Sequence, residues 1–262
     1  MNYGPVPPPV LNLSDGGHVE NLGLLPLLKR RCERILVVDG GYTDGDTFRA
    51  NDWIIAIDFA RKWLRCSFSA LDGRDIIEDI KNKFVYRLPG TQPRMYTFKV
   101  EYYERAYGVE CDIKIGEGYV LILSPRHPFK GIPHKFFETW EEHTSDVEQE
   151  MDPLLWGPGP DLEASETDEL TYCCCECCHC SFCFQCSSFC CGSFPLHATS
   201  NQFFTPQMFS VYHREGYRAS MDGKIECFLN TDVAWPRNNT ILIERLNKAE
   251  YKDSSITSSD TE

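Results

Sequence analysis

The sequence predicts an α/β fold, a mainly parallel sheet flanked by helices, and three observations carry that prediction. A strand, a glycine turn, a leucine-rich helix, a second strand and a second glycine turn follow one another within residues 10–41. An amphipathic stretch at about 51–65 then leads into the strand-like CSFSA at 66–70. Finally, apolar and polar residues alternate around 96–124 in the manner of strands.

The lead-in, residues 1–9, is Pro-rich and extended, and VLNL (10–13) reads as a short buried strand closed by the SDGG turn at 14–17. NLGLLPLLKRRC (21–32) carries Leu22, Leu24, Leu25, Leu27 and Leu28, with basic residues gathered at its end, where a helix C-terminus favours them. RILVVDGG (34–41) is a second apolar strand ending in glycines. From Asn51 to Arg65 a helix is expected to present Trp53, Ile54, Ile57, Phe59, Ala60 and Trp63, and RDIIEDIKNKF (74–84) predicts another. YTFKVEYY, VECDIKIG and YVLILSP read as strands, and PHKFFETWEEHTSDVEQEM (133–151) as a helix fading into acidic loop.

Composition changes sharply after that. No Lys or Arg occurs between Lys135 and Arg214, and Asp146–Glu169 is acidic and punctuated by Pro and Gly, so it reads as solvated loop or disorder. Order is expected to resume at FPLHATSNQFFTPQMFSVYHREGYRA (194–219), with Thr205 capping a helix whose Phe209 and Tyr212 face inward. The tail, DSSITSSDTE, reads as disordered. The expected organisation is therefore an α/β part at 1–145, an acidic and Cys-rich insertion at 146–193, a continuation at 194–250 and a tail at 251–262.

Across 262 residues the apolar fraction of 42% suffices for a core, while a formal charge of −13 argues against non-specific binding to nucleic acid or to anionic membrane, both of which need a positive surface. No stretch approaches the roughly 20 apolar residues of a membrane span, and MNYGPVPPPV lacks the basic and apolar regions of a secretory signal. A cytoplasmic chain, free or associated with a membrane surface, is expected.

Asp15 is the leading candidate for chemistry. A carboxylate on a glycine turn at the carboxyl end of a buried strand stands where open α/β sheets build their sites, and Gly16 and Gly17 allow a sharp turn and close approach. Asp39, in VVDGG, makes the same claim, and either residue could instead be only a turn or capping aspartate. His18 and Glu20 stand either at the entrance to such a site or at the start of the following helix, as caps. His127, His134, His143, His197 and His213 show no partner spacing.

Of fourteen cysteines, Cys32, Cys66, Cys111 and Cys227 are scattered like buried small residues, and ten crowd between Cys173 and Cys191. Overlapping C-x-x-C pairs through Cys174, Cys177, Cys180 and Cys183, with His179, have the ligand types and spacing of a zinc site. A continuous ladder also offers competing ligand sets. Equally, Cys173, Cys174, Cys175, Cys177 and Cys178, interleaved downstream with Phe182, Phe184 and Phe189, suit multiple S-acylation and membrane anchoring. A low-complexity insertion with no fixed role is the third reading.

NLSDGGHVENLGLLPLLKRRCERILVVDGG, within the matching stretch 11–41, resembles the catalytic-aspartate segment of the patatin-like and cytosolic-phospholipase-type lipid acyl hydrolases. FPLHATSNQFFTPQMFSVYHREGYRA resembles a downstream block of the same family. The resemblance implies a serine–aspartate dyad hydrolysing glycerophospholipid acyl esters, with Asp15 as the base, Asp39 as a structural neighbour and no cofactor. It also implies a phospholipid or membrane surface as partner. The family's nucleophile sits in a G-x-S-x-G elbow, which this sequence lacks. The chain therefore reads as the C-terminal part of such a domain, incomplete at its N-terminal side, whose partner is the missing N-terminal half. Hydrolysis by this chain alone is not expected. Two further classes stay open: a non-catalytic lipid-associating or regulatory fragment, and a metal-binding protein built on the cysteine ladder.

Overall fold

A computed structural model describes residues 20–41, 50–87, 91–105, 111–128, 159, 161–171, 194–197 and 204–230. The chain divides into two compact units, Met1–Gly223 and Lys224–Glu262. Within the first, the leucine-rich stretch forms helix α1 over Leu24–Lys29. It starts after Gly23, whose φ of 65° lies in the left-handed region, and Pro26 falls in the first turn, where a missing N–H costs nothing. The Glu20 carboxylate accepts from the backbone N–H of Leu22 at 2.8 Å and of Leu25 at 3.2 Å, so Glu20 caps the helix start. Strand β1 then runs over Arg34–Val38, burying Ile35 and Val37.

Helix α2, Asn51–Leu64, buries Trp53, Ala56, Ile57 and Ala60, a single stripe at helical spacing. Trp63, expected to face inward, is 66% exposed instead. Strand β2, Cys66–Ala70, alternates buried and open residues as predicted. Asp75 then caps helix α3, Ile76–Ile80, by accepting the Glu78 N–H at 3.0 Å, and a π-helical turn at Lys81–Val85 delivers Phe84 to the core. Strands β3, Met95–Arg105, and β4, Asp112–Leu123, complete the described sheet. DIKIG and YVLIL, read as two strands, are one: β4 runs unbroken through Gly116 and Gly118.

The strand order is β1-β4-β3-β2. Only β1 and β4 pair in parallel, while β4–β3 and β3–β2 are antiparallel. Among the described strands the sheet is thus mixed, not mainly parallel: only six residues separate β3 from β4, fewer than a parallel crossover needs. One face buries Ile35, Val37, Phe68, Phe98, Val100, Val120 and Ile122 against α1, α2 and α3. The other face carries a ladder of Lys99, Glu101, Lys114 and Glu117, paired at 2.7 to 3.3 Å.

Two further helices belong to this unit. Helix α4, Ala164–Thr171, lies in the acidic stretch expected as loop, and it folds because Leu162, Ala164 and Thr167 are buried and the helix packs on the next one. That next helix, α5, covers Pro206–Gly223, and Thr205 caps it as predicted, accepting the Met208 N–H at 3.1 Å. Its inward face differs from expectation. Phe209 is 51% exposed, whereas Met208, Val211, Glu215, Arg218 and Ala219 are buried. Tyr212 does join a cluster with Leu162, Phe194 and Val211. Gly223 lies so close to β4 that a Cβ there would stand 2.7 Å from Leu123 Cδ2. In the second unit, helix α6 covers Ile225–Leu229 and buries Phe228. Among the described residues no helix is long and apolar enough to cross a membrane.

The parallel pair imposes a close approach. A Cβ on Gly118 would stand 2.6 Å from the Cys32 carbonyl oxygen and 2.9 Å from that of Glu33, both backbone atoms that cannot rotate away. Gly118→Ala is expected to lower stability by about 3 kcal/mol, the upper end of an overpacking cost. Gly216, in the interior of α5 with nothing within 4 Å of a Cβ, is the control. Gly216→Ala should raise stability by about 1 kcal/mol. Urea unfolding of both variants measures the contrast.

Candidate functional site at the carboxyl end of the parallel pair

Register brings three segments side by side. Val38 pairs with Leu123, and Leu123 pairs with Met95. The stretches just beyond, Asp39–Gly41, Ser124–Arg126 and Gln92–Arg94, therefore line the end of the sheet where open α/β folds place their ligands.

Asp39 is fully engaged there. Its backbone N–H donates to the Leu123 carbonyl at 2.8 Å, carrying the parallel ladder one residue past β1. One carboxylate oxygen accepts the Gly41 N–H at 3.1 Å and the other accepts the Trp53 indole N–H at 2.7 Å. Trp53 is itself locked in the core, edge-on to Phe84 at 4.7 Å and nearly parallel to Tyr96 at 6.4 Å. Tyr96 in turn donates its hydroxyl to Asp79 at 2.8 Å. Burial, and then the Asp79 carboxylate, hold that phenol well above its ordinary range. Asp79, also buried, faces Arg74 at 2.8 Å and Lys83 at 2.9 Å. A chain of contacts thus anchors the turn aspartate to the middle of the molecule.

Beside it lies a buried ionic network. Arg94 forks onto Glu215, with Nε to Oε1 at 2.6 Å and Nη2 to Oε2 at 3.2 Å, and its Nη1 reaches Asp222 at 3.2 Å. The Arg126 N–H donates to the same Glu215 at 3.1 Å, and its guanidinium to the Gln92 carbonyl at 2.7 Å. Burial works against the charge on Arg94, but the Glu215 carboxylate outweighs it and holds the guanidinium up. Arg218, pressed down by burial and then by the neighbouring Arg94, donates to the Leu162 carbonyl at 3.0 Å. Arg214 clamps α4, donating to both oxygens of Glu166 at 2.6 and 3.2 Å and to the Asp161 carbonyl.

Two histidines border this network. His127 Nε2 meets Asp168 Oδ1 at 2.8 Å, and its Nδ1 meets the Pro128 carbonyl at 2.8 Å. With both ring nitrogens occupied, the pair ties β4's exit to α4 and offers no nitrogen to a nucleophile. His197 Nδ1 meets the Tyr212 hydroxyl at 2.9 Å, and burial pushes its pKa down to about 4.

Asp15, Gly16, Gly17 and His18 lie outside the described residues, as do the cysteine ladder with His179 and the histidines at 134 and 143. Cys32, Cys66, Cys111 and Cys227 are free thiols, and burial raises Cys66 to about 11, so its thiol is unreactive. Sequence reasoning found Asp39 but missed its Trp53 partner and the whole Arg94–Glu215 network. A signal was present: Glu215, Arg218 and Asp222 recur at helical spacing on the same stripe as Met208, Val211 and Ala219. Comparison of the chain with family models, with curated proteins and with solved structures yields no match.

Two outcomes are expected. Arg94→Met or Glu215→Gln alone should cost about 3–5 kcal/mol, because each leaves a buried charge uncompensated. The double variant should lose clearly less than the sum, which a double-mutant cycle in urea measures. For His197, the unfolded imidazole binds a proton near pH 6.5 that the folded one refuses until about 4. Its contribution to stability is therefore complete above pH 6.5 and lost as pH falls towards 4. Thermal melts of His197→Phe should show a shallower decline over that window than the parent chain.

Proposed function

We propose that this chain is the catalytic-aspartate part of a patatin-like lipid acyl hydrolase, acting on glycerophospholipid acyl esters with Asp15 as the base. One observation carries the reading. Glu20–Gly41, the described part of the segment that bears the resemblance, forms a capped helix and a strand that runs parallel to β4 and ends in a glycine turn. The proposal extends the parallel layer: residues 10–13 add a strand on the side of β1 away from β4, and Asp15 then falls beside the Asp39 turn.

The resemblance gives Asp15 the role of base and Asp39 a structural one, and the contacts of Asp39 support that division. Asp39 already accepts from Trp53 and Gly41, so it braces the turn. Asp15 acts as the base in this reading. It takes the proton from a serine hydroxyl as the oxygen attacks the acyl carbonyl carbon, then returns it to the departing lysolipid oxygen, and water cleaves the acyl-serine by the same route in reverse. The sequence has no G-x-S-x-G, so in this reading the serine belongs to residues outside it. Phospholipid in a membrane surface is the partner, met from the cytoplasm, and the proposal calls for no cofactor. A non-catalytic scaffold that retains the layer is the reading that the missing motif favours as second.

Two measurements test the proposal. Backbone NMR of the full chain should show parallel interstrand contacts between residues 10–13 and Ile35–Val38, and a helix or antiparallel pairing there would sink it. A fluorophosphonate, which marks activated serines, should leave this chain unlabelled. Labelling that Asp15→Asn abolishes would put the nucleophile inside this sequence and overturn its assignment elsewhere.

A further inference from the structure

The opposite end of β1 holds a second feature, independent of the hydrolase reading. Helices α1 and α2 finish there side by side, each running into an arginine in left-handed backbone: Arg31 with φ of 57° and Arg65 with φ of 52°. Glycine is the residue that such a helix exit favours, and another side chain there costs roughly 1 kcal/mol. Both arginines line one recess of about 380 Å³, together with Lys29, Arg105, Glu104 and Trp63. That volume falls within the range of small-molecule sites.

The charge of the recess inverts that of the chain. Four cations stand with two carboxylates, Glu104 in the lining and Asp112 paired to Arg65, a net of +2 (four minus two), in a protein of formal charge −13. Local pairing leaves much of it available: Arg31 meets Glu104 only at 3.6 Å with both side chains at least half exposed, and Lys29 and Arg105 have no ion pair among the described residues. Arg65 pairs with Asp112 at 2.7 Å, itself partly exposed. The floor is rigid. Tyr102 donates its hydroxyl to the Cys32 carbonyl at 2.6 Å, and the Tyr103 N–H donates to the Arg65 carbonyl at 3.1 Å. Trp63, at the rim, exposes 66% of its surface with Lys62 5.7 Å from its ring centre.

We propose that this recess binds a phosphate ester, the phosphoryl oxygens held by the Arg31, Arg65, Lys29 and Arg105 head groups and the organic part resting against Trp63. Guanidinium forks match phosphoryl oxygens in pairs, and a concave wall of one sign concentrates the opposite ion even on a molecule of the same overall sign. Helix macrodipoles alone account for cations at these ends. They do not account for all four lining one recess beside an exposed indole. A soluble phosphate ester and a phospholipid headgroup share this chemistry.

Titration of the full chain with phenyl phosphate, and flotation with phosphatidylcholine vesicles with and without phosphatidic acid, test it. Saturable binding that weakens at least ten-fold in Lys29→Glu/Arg105→Glu is expected, together with a fluorescence change that Trp63→Phe removes. Binding of phenyl phosphate identifies a soluble ester, and retention by phosphatidic-acid vesicles alone identifies a headgroup. Arg31→Gly separates ligand binding from helix capping: it should keep or raise the melting temperature while binding falls. Absence of binding to both probes, or binding that these variants leave unchanged, overturns the proposal.

Discussion

A buried arginine that must be neutralised organises one whole end of this molecule. Arg94 immediately precedes β3, a strand whose register is set by two neighbours, and is held in the interior. Only a carboxylate with matching fork geometry can hold it there without a large desolvation cost. Glu215 supplies that carboxylate and takes a third donor from the Arg126 backbone, so one side chain of α5 fixes the beginning of β3 and the exit of β4 together. The helix is thereby set against the sheet closely enough that Gly223 must lack a side chain beside Leu123. The arginine–carboxylate clamp from Arg214 to Glu166 then extends the same logic outward to α4.

That sequence of dependencies explains which elements could be read in advance. Strands β1 and β2, helices α1 and α2 and the cap at Thr205 follow from local rules, namely period, capping and turn chemistry, and each appears where those rules put it. Helix α4 was not legible because ASETDELT carries three acidic residues in a row of eight and makes little core of its own. It is held by packing on α5 and by the clamp from Arg214, a residue distant in sequence. The inward face of α5 misled for the same reason. Phe209 looks like part of the core stripe, but it is Tyr212 that packs inward, and Glu215 and Arg218 share the buried face with Met208 and Val211.

The functional end of the sheet was legible only in part. Asp39 stands at the strand end that its glycines announced, yet nothing local in VVDGG reveals that an indole fourteen residues downstream would occupy its carboxylate. The pairing direction was misread too. Alternation identifies strands without saying which way they pair, so β3 and β4 as a hairpin-like antiparallel pair were indistinguishable in the sequence from parallel neighbours.

The two ends of β1 solve opposite electrostatic problems with the same residue type. At the carboxyl end the arginines are dehydrated, and each is paired or capped by carbonyls, which makes that end rigid. At the amino end Arg31 and Arg65 stay in solvent, in backbone conformations that glycine would occupy more comfortably. An interior arginine is retained by the cost of removing its partner, and that constraint is structural. A solvated arginine in left-handed backbone has no such protection, and the surface pairs it makes contribute little to stability. The proposed ligand would hold such a residue through its head group, and at this end of the sheet Arg31 and Arg65 line one recess.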